Sequence, residues 1–434
     1  MPDFLAIQPT GPISGSIRPP GSKSITNRAL VCAALAEGES ILSGALESED
    51  TEVMIAALRQ LGLTISVDAS RHEIRITGCG GRLPASGGTL FVANSGTTTR
   101  FLAAMLTLGR GTFRLDGTPR MRERPIQDLL DALAQLGAAA RSEQGTGCPP
   151  VIIEADGLPG GRAAIRGDVS SQFLSGLLMA APYARSPVEL FVPGELVSQP
   201  YIQMTLAVMA AFGVRVNLVG QNTFQVPIGI GYRGRAYAIE PDASAASYFF
   251  AAAAITGGQV MVKGLSRASL QGDVAFVDVL RQMGCEVAFA EDEITITGRP
   301  LRGVDVNMNA ISDTVQTLGA VALFAEGPTN ISGIGHIRHK ETDRIAALAT
   351  ELRKLGADVI ERDDGLTIRP AALHGARIAT YNDHRMAMSL ALVGLAVPGI
   401  EISNPGCTAK TYPNYFADLA GLVGGSRRSP TVPS

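Results

Sequence analysis

Cations, hydroxyls and carboxylates recur along this chain in short clusters, most of them directly ahead of an apolar run. Lys23, Ser24 and Arg28 come first, then Asn94, Gly96 and Thr97, then the arginine loop containing Arg120, Arg122 and Arg124. Asp168, Ser170, Ser171 and Gln172 follow, and Ser198 and Tyr201 after them. The C-terminal half carries Asp313, then Lys340, Glu341, Asp343 and Arg344, then Asn382-Asp383-His384-Arg385, and finally Lys410. Lysine offers a point charge to phosphate, and arginine a planar fork that grips phosphate or carboxylate with two parallel bonds. A hydroxyl or glycine at a helix start adds backbone N–H donors. Carboxylates among such cations can move protons. The chemistry implied is capture of a strongly anionic ligand with acid–base work on it. Taken singly, each cluster also fits an ordinary cap, turn or salt-bridged surface helix, and Lys410 is by default exposed. Their shared phase makes the difference.

That phase is a repeat. With Ser24, Ser95, Ser171, Ser244, Asp313 and Asp383 as markers, the intervals are 71, 76, 73, 69 and 70 residues. After each marker comes a run such as ALVCAALAEG, FLAAMLTLG or YFFAAAAITGG, apolar nearly all round and so expected to form a buried helix with the polar cluster at its N-cap. A second element keeps the same period: an amphipathic helix end, a stopping glycine, then a hairpin. The glycines are Gly62, Gly137, Gly213, Gly284 and Gly356, and FADLAGLVGG reads as a worn sixth copy. Pro125, after the arginine loop, is expected at the first position of a helix. Six helix N-termini, each with about half a positive charge and unpaired donors, suit a shared anion site.

A chain of 434 residues suggests two domains, and six units divide as three plus three. The expected domains are residues 22–239 and residues 1–21 with 240–434, hinged near 21 and 240, with a ligand cleft between them. A net charge of −3 argues against general nucleic-acid or membrane affinity, so any anion site is a local arrangement. Five dispersed cysteines without a Cys-x-x-Cys pair point to reduced thiols and a cytoplasmic protein, and a monomer is the expected state. No apolar stretch reaches bilayer length, and the tail GGSRRSPTVPS is expected to be disordered. Five scattered histidines do not offer metal-ligand spacing, so no metal is expected. GSKSITNRAL is not a nucleotide loop, because Lys23 follows Ser22 and Gly15 lies six residues before Gly21.

The motifs PPGSKSITNRAL, NSGTTTRFLAAML, GTPRMRERPIQDLLDAL, GDVSSQF, HKETDRI, YNDHRMAMSLALV and CTAKTYPNYF, in this order from about residue 10 to 417, closely resemble the EPSP synthase family of enolpyruvyl transferases. The resemblance implies an α/β fold, a two-domain inverse α/β barrel of six βαβαββ repeats, three per domain. It implies transfer of the enolpyruvyl group of phosphoenolpyruvate to the 5-hydroxyl of shikimate 3-phosphate, with release of phosphate and without cofactor. By motif match, Lys23, Ser24, Arg28, Ser170, Ser171, Gln172, Ser198, Tyr201, Asp313 and Lys340 would hold shikimate 3-phosphate. Lys23, Gly96, Arg124, Gln172, Arg344, Arg385 and Lys410 would hold phosphoenolpyruvate. Asn94, Thr97, His336 and His384 are further candidates. Asp313 is implied as base for the hydroxyl, with Glu341 and Lys23 moving protons at carbon.

The chain departs from the common family pattern in places. His336 replaces an Asn, and Ser95, Thr98 and Phe101 differ from well-studied members. Retained Gly96 implies sensitivity to glyphosate. The related transferase acting on UDP-N-acetylglucosamine usually carries a catalytic Cys where this chain has Pro119, and the SSQ and KETDR motifs favour shikimate 3-phosphate. A non-catalytic repeat protein would explain the repeats but not the matched cations.

Overall fold

The computed structural model describes residues 3–167, 169–194 and 196–426; Asp168 and the tail beyond Ser426 lie outside the described residues. The chain divides into two compact units, Gly21–Ile239 and a second made of the residues before Gly21 with those from Glu240 on.

Each apolar run is a buried helix. In the first unit these are Lys23–Leu35, Gly96–Leu106 and Ser171–Ala180; in the second, Ala243–Thr256, Val315–Ala322 and His384–Ala391. Small residues allow this: Ala243–Thr256 contains seven alanines, and twelve of its residues are buried. Five helices are capped by the polar cluster ahead of them. The side chains of Ser22, Ser95, Ser170, Asp242 and Asp383 accept from the backbone N–H of Ile25, Thr98, Gln172, Ala245 and Arg385 at 2.9–3.4 Å. Each such cap contributes about 1 kcal/mol.

The fifth repeat breaks the rule. Val315–Ala322 has no side-chain cap, and the chain reaches it through 3-10 turns over Asn309–Thr314, with Ile311 off helical geometry at φ −128°, ψ 36°. Asp313 sits in this turn with its carboxylate engaged elsewhere, as shown below.

The outer helices Glu49–Gln60, Gln127–Gln135, Gln199–Ala211, Phe276–Gln282 and Arg344–Lys354 lead into the five stopping glycines. All five have φ between 81° and 117°, where a side chain would be strained. A hairpin follows each. Pro125 precedes its helix rather than opening it, because buried Ile126 takes the N-cap position and Gln127 begins the helix.

Six sheets accompany the helices. The first unit has three four-stranded sheets, each with one parallel and two antiparallel pairings; in one of them Ala236–Ala238 runs parallel to Glu39–Ser43 at its edge. The second unit has two of the same kind and one three-stranded sheet. Both N-terminal strands belong there: Ser14–Ile17 pairs parallel with Gln259–Lys263, and Phe4–Ile7 pairs antiparallel with Ile400–Ser403. The sixth repeat thus takes a strand from the N-terminus, and its outer helix Tyr415–Ser426 has no hairpin after it among the described residues. Each unit thus combines three buried helices with three small sheets, consistent with an inverse α/β barrel.

Candidate active site

In the second unit one carboxylate gathers three cations. Asp313 Oδ1 accepts from Lys340 Nζ at 2.6 Å and Arg344 Nη1 at 3.3 Å, and Oδ2 accepts from Arg385 Nη2 at 2.7 Å. Freed from capping, the carboxylate is available for this. Arg344 is itself fixed from below: Nε and Nη2 donate to the two oxygens of Asp383 at 2.8 and 3.2 Å, and Nη2 lies 2.9 Å from Glu341 Oε2. Burial works against its charge, but Asp383, Glu341 and Asp313 more than offset this and raise its pKa. Asp383 therefore both caps the sixth buried helix and anchors Arg344. Arg385 Nη1 donates to Tyr248 Oη at 3.3 Å; burial pushes this phenol up to about 12, so it stays neutral.

Lys340 is three-quarters buried, and burial lowers its pKa although Asp313 opposes the shift. Ser312 Oγ stands 3.5 Å from its ammonium and 3.0 Å from His336 Nε2. Burial, then the charge of Lys340, lowers His336 to about 4. The residue in place of the Asn is thus a neutral imidazole at working pH. Lys410 is buried, because the turns Pro405–Lys410 pack on the sixth buried helix. His384 is buried at that helix's first position.

The first unit presents a second set. Arg124 Nη1 donates to the carbonyl and the side-chain oxygen of Asn94 at 3.0 and 3.2 Å. Its guanidinium closes on Gly96: a Cβ there would stand 2.4 Å from Arg124 Nη2 and 2.7 Å from Arg100 Nη1. Arg100, absent from the sequence-derived set, is held by Pro125 O at 2.9 Å and is buried with Arg124. Its only sequence signal is its place five residues after the Ser95 cap. Thr97 Oγ1 accepts from Gln172 Nε2 at 3.4 Å, joining the second and third buried helices at their positive ends. Two guanidiniums and two helix N-termini converge on one glycine, which suits a phosphate or carboxylate.

Lys23 is the first residue of its helix, nine-tenths buried, with Asp50 Oδ2 3.7 Å from its ammonium. Ser24 and Tyr201 are half-buried. Ser198 is buried at the start of Gln199–Ala211 with φ 54°, a left-handed conformation unusual for a residue with a side chain.

Arg28 is engaged within the first unit by several groups at once. It is fully buried and donates to Thr205 Oγ1 at 2.7 Å, Ser24 O at 2.8 Å, Tyr201 O at 3.2 Å and Ser175 Oγ at 3.4 Å, with Phe101 stacked 5.3 Å away. Burial lowers its pKa to about 10, still well above neutrality. These bonds lock Ser24 and Tyr201 relative to each other. Replacing Arg28 with alanine would orphan several of these acceptors and empty a packed site. The expected loss is about 3 kcal/mol, read as a lower urea midpoint at unchanged slope.

A family model described as EPSP synthase (3-phosphoshikimate 1-carboxyvinyltransferase) matches residues 7–419. The chain belongs to that family. Its relatives of the same name include a Nostoc punctiforme protein, 51% identical over 93% of this chain and 95% of the relative, and a Shewanella protein, 50% identical over 96% and 99%. EPSP synthase from Acinetobacter baumannii has a similar structure, with a TM-score of 0.80 at 27% identity over 98% of each chain. The enolpyruvyl transferase NikO from Streptomyces tendae shares the fold at a TM-score of 0.76 and 22% identity. The enzyme is a 3-phosphoshikimate 1-carboxyvinyltransferase of the shikimate pathway, which leads to the aromatic amino acids, and its fold class is that of the EPSP synthases.

Proposed function

We propose that the two sets of residues act on one pair of substrates, shikimate 3-phosphate and phosphoenolpyruvate, in the following roles. The cluster around Asp313 carries this reading: three cations suit the anionic substrates, and the carboxylate among them is the proton acceptor. Lys23, Ser24, Arg28, Ser170, Ser171, Gln172, Ser198, Tyr201, Asp313 and Lys340 hold shikimate 3-phosphate, with His336 a further contact and Arg28 also fixing Ser24 and Tyr201. Gly96, Arg124, Arg344, Arg385 and Lys410 hold phosphoenolpyruvate, with Lys23 and Gln172 serving both substrates.

Addition begins when a proton reaches the methylene carbon of phosphoenolpyruvate and C2 becomes electrophilic. Asp313 takes the proton of the 5-hydroxyl as its oxygen attacks C2. The product is a non-covalent ketal phosphate. Loss of a methyl proton then restores the double bond and expels phosphate. Glu341 and Lys23 handle the carbon protons. The cations neutralise charge that grows on the departing phosphate, where preorganised donors count most. The substrates supply their own leaving group, so the scheme needs no cofactor or metal.

The enzyme acts as a cytoplasmic monomer of two domains hinged near residues 21 and 240. No described helix is long and apolar enough to cross a membrane. Phosphate release measured with each substrate alone and together tests the assignment. Release requiring both supports it; release with UDP-N-acetylglucosamine in place of shikimate 3-phosphate would refute it.

A further inference from the structure

Three cations around Asp313 hold its carboxylate charged and so reduce its appetite for a proton, which is awkward for a general base. A second buried carboxylate lies in the neighbouring turn. Asp273, in the short turn Gly272–Ala275, is 4% exposed and accepts a short hydrogen bond from Ser244 Oγ at the start of the fourth buried helix. The turn is tied to that helix by Gln271, whose amide accepts from Ala243 N at 3.0 Å and donates to Pro241 O at 2.6 Å. It also packs against the 3-10 turns that carry Asp313.

We propose that Asp273 is a positioning residue for the base: its buried negative charge, set by Ser244, opposes the pull of the three cations and keeps Asp313 basic enough to take the hydroxyl proton. This rests on Asp313 being the base. The groups acting on Asp273 include Asp313 from the 3-10 turns, Ser244 from the fourth buried helix and Asp242 at its N-cap, and Arg385 from the sixth. Asp313 itself meets Lys340 and Arg344 and, through Arg344, Glu341 and Asp383. Burial first, then the charge of Asp313, raises Asp273 to about 6, while Ser244 and Arg385 act in the opposite sense. At pH 7.5 Asp273 is mostly ionised. As pH falls through 6 it takes a proton, its charge disappears, and Asp313 is left with its cations alone.

The wild type should therefore lose turnover on an acid limb near pH 6. Asp273→Asn mimics the protonated state at every pH. Its turnover at pH 7.5 should be several-fold lower, and the limb near 6 should vanish. Ser244→Ala removes the donor that favours the charged form, so its limb should move to higher pH. Each variant is profiled for kcat from pH 5 to 9, with its unfolding midpoint measured alongside. A limb that stays in place in both variants, or a uniform loss with lowered stability, overturns the proposal. If Asp273→Asn does not fold, the Ser244→Ala shift decides alone. Asp313→Ala in the same series separates the readings, since near-normal turnover there removes the base itself, whereas an unmoved limb in the other variants removes only the role of Asp273.

Discussion

Asp313→Ala should cut kcat by about 10²–10⁴-fold, the usual weight of a general base, without raising KM for either substrate. The substitution removes the acceptor for the hydroxyl proton and also the counter-ion shared by Lys340, Arg344 and Arg385. Those cations remain anchored in part by other groups, Arg344 by Asp383 and Glu341 and Arg385 by Tyr248. Left with excess positive charge, the site should bind the anionic substrates as tightly as before or more so. Loss of kcat with constant KM marks an interaction made in the transition state. Steady-state rates over both substrate concentrations check this. Near-normal kcat would remove Asp313 as base, and a large rise in KM would recast it as a binding residue only.

Gly96→Ala should act on the other substrate. The added Cβ would fall 2.4 Å from Arg124 Nη2 and 2.7 Å from Arg100 Nη1, closer than real contacts allow. Both atoms end flexible side chains, so the fold can yield and the cost in stability is small. What shifts is the pair of guanidiniums and the room above the helix start. The KM for phosphoenolpyruvate should rise by about tenfold, the effect of roughly 1.4 kcal/mol in binding, while KM for shikimate 3-phosphate changes little. Glyphosate, competing for the same space, should inhibit the parent protein and lose more affinity than phosphoenolpyruvate does in the variant. Unchanged KM and inhibition would place the phosphoenolpyruvate site elsewhere.

Local patterns were legible in the sequence because local physics makes them. The buried helices, their hydroxyl and carboxylate caps and the five stopping glycines follow from contacts within four residues, and their recurrence along the chain gives the period. So does the placing of cations near helix starts. The partners of those cations were not legible. Arg344 meets Asp383 across 39 residues, and Arg28 meets Ser175 and Thr205 across 147 and 177; nothing in spacing announces either. Arg28 reads in sequence as a phosphate ligand, and its clasp on Ser24 and Tyr201 has no local signal. Arg100 and Asp273 were missed because one sits inside an apolar run and the other in an unremarkable turn. The fifth repeat is the instructive failure. Its marker carboxylate does not cap its helix, and the local rule is broken where Asp313 gathers its cations.

The decisive measurement is a reaction run in heavy water with shikimate 3-phosphate and phosphoenolpyruvate, followed by mass analysis of the product. Protonation at the methylene carbon followed by removal of a methyl proton must wash deuterium into the vinyl group, and no adduct should form on the protein. A product formed at full rate with no deuterium, or an enolpyruvyl group found attached to the chain, would contradict addition and elimination at this site.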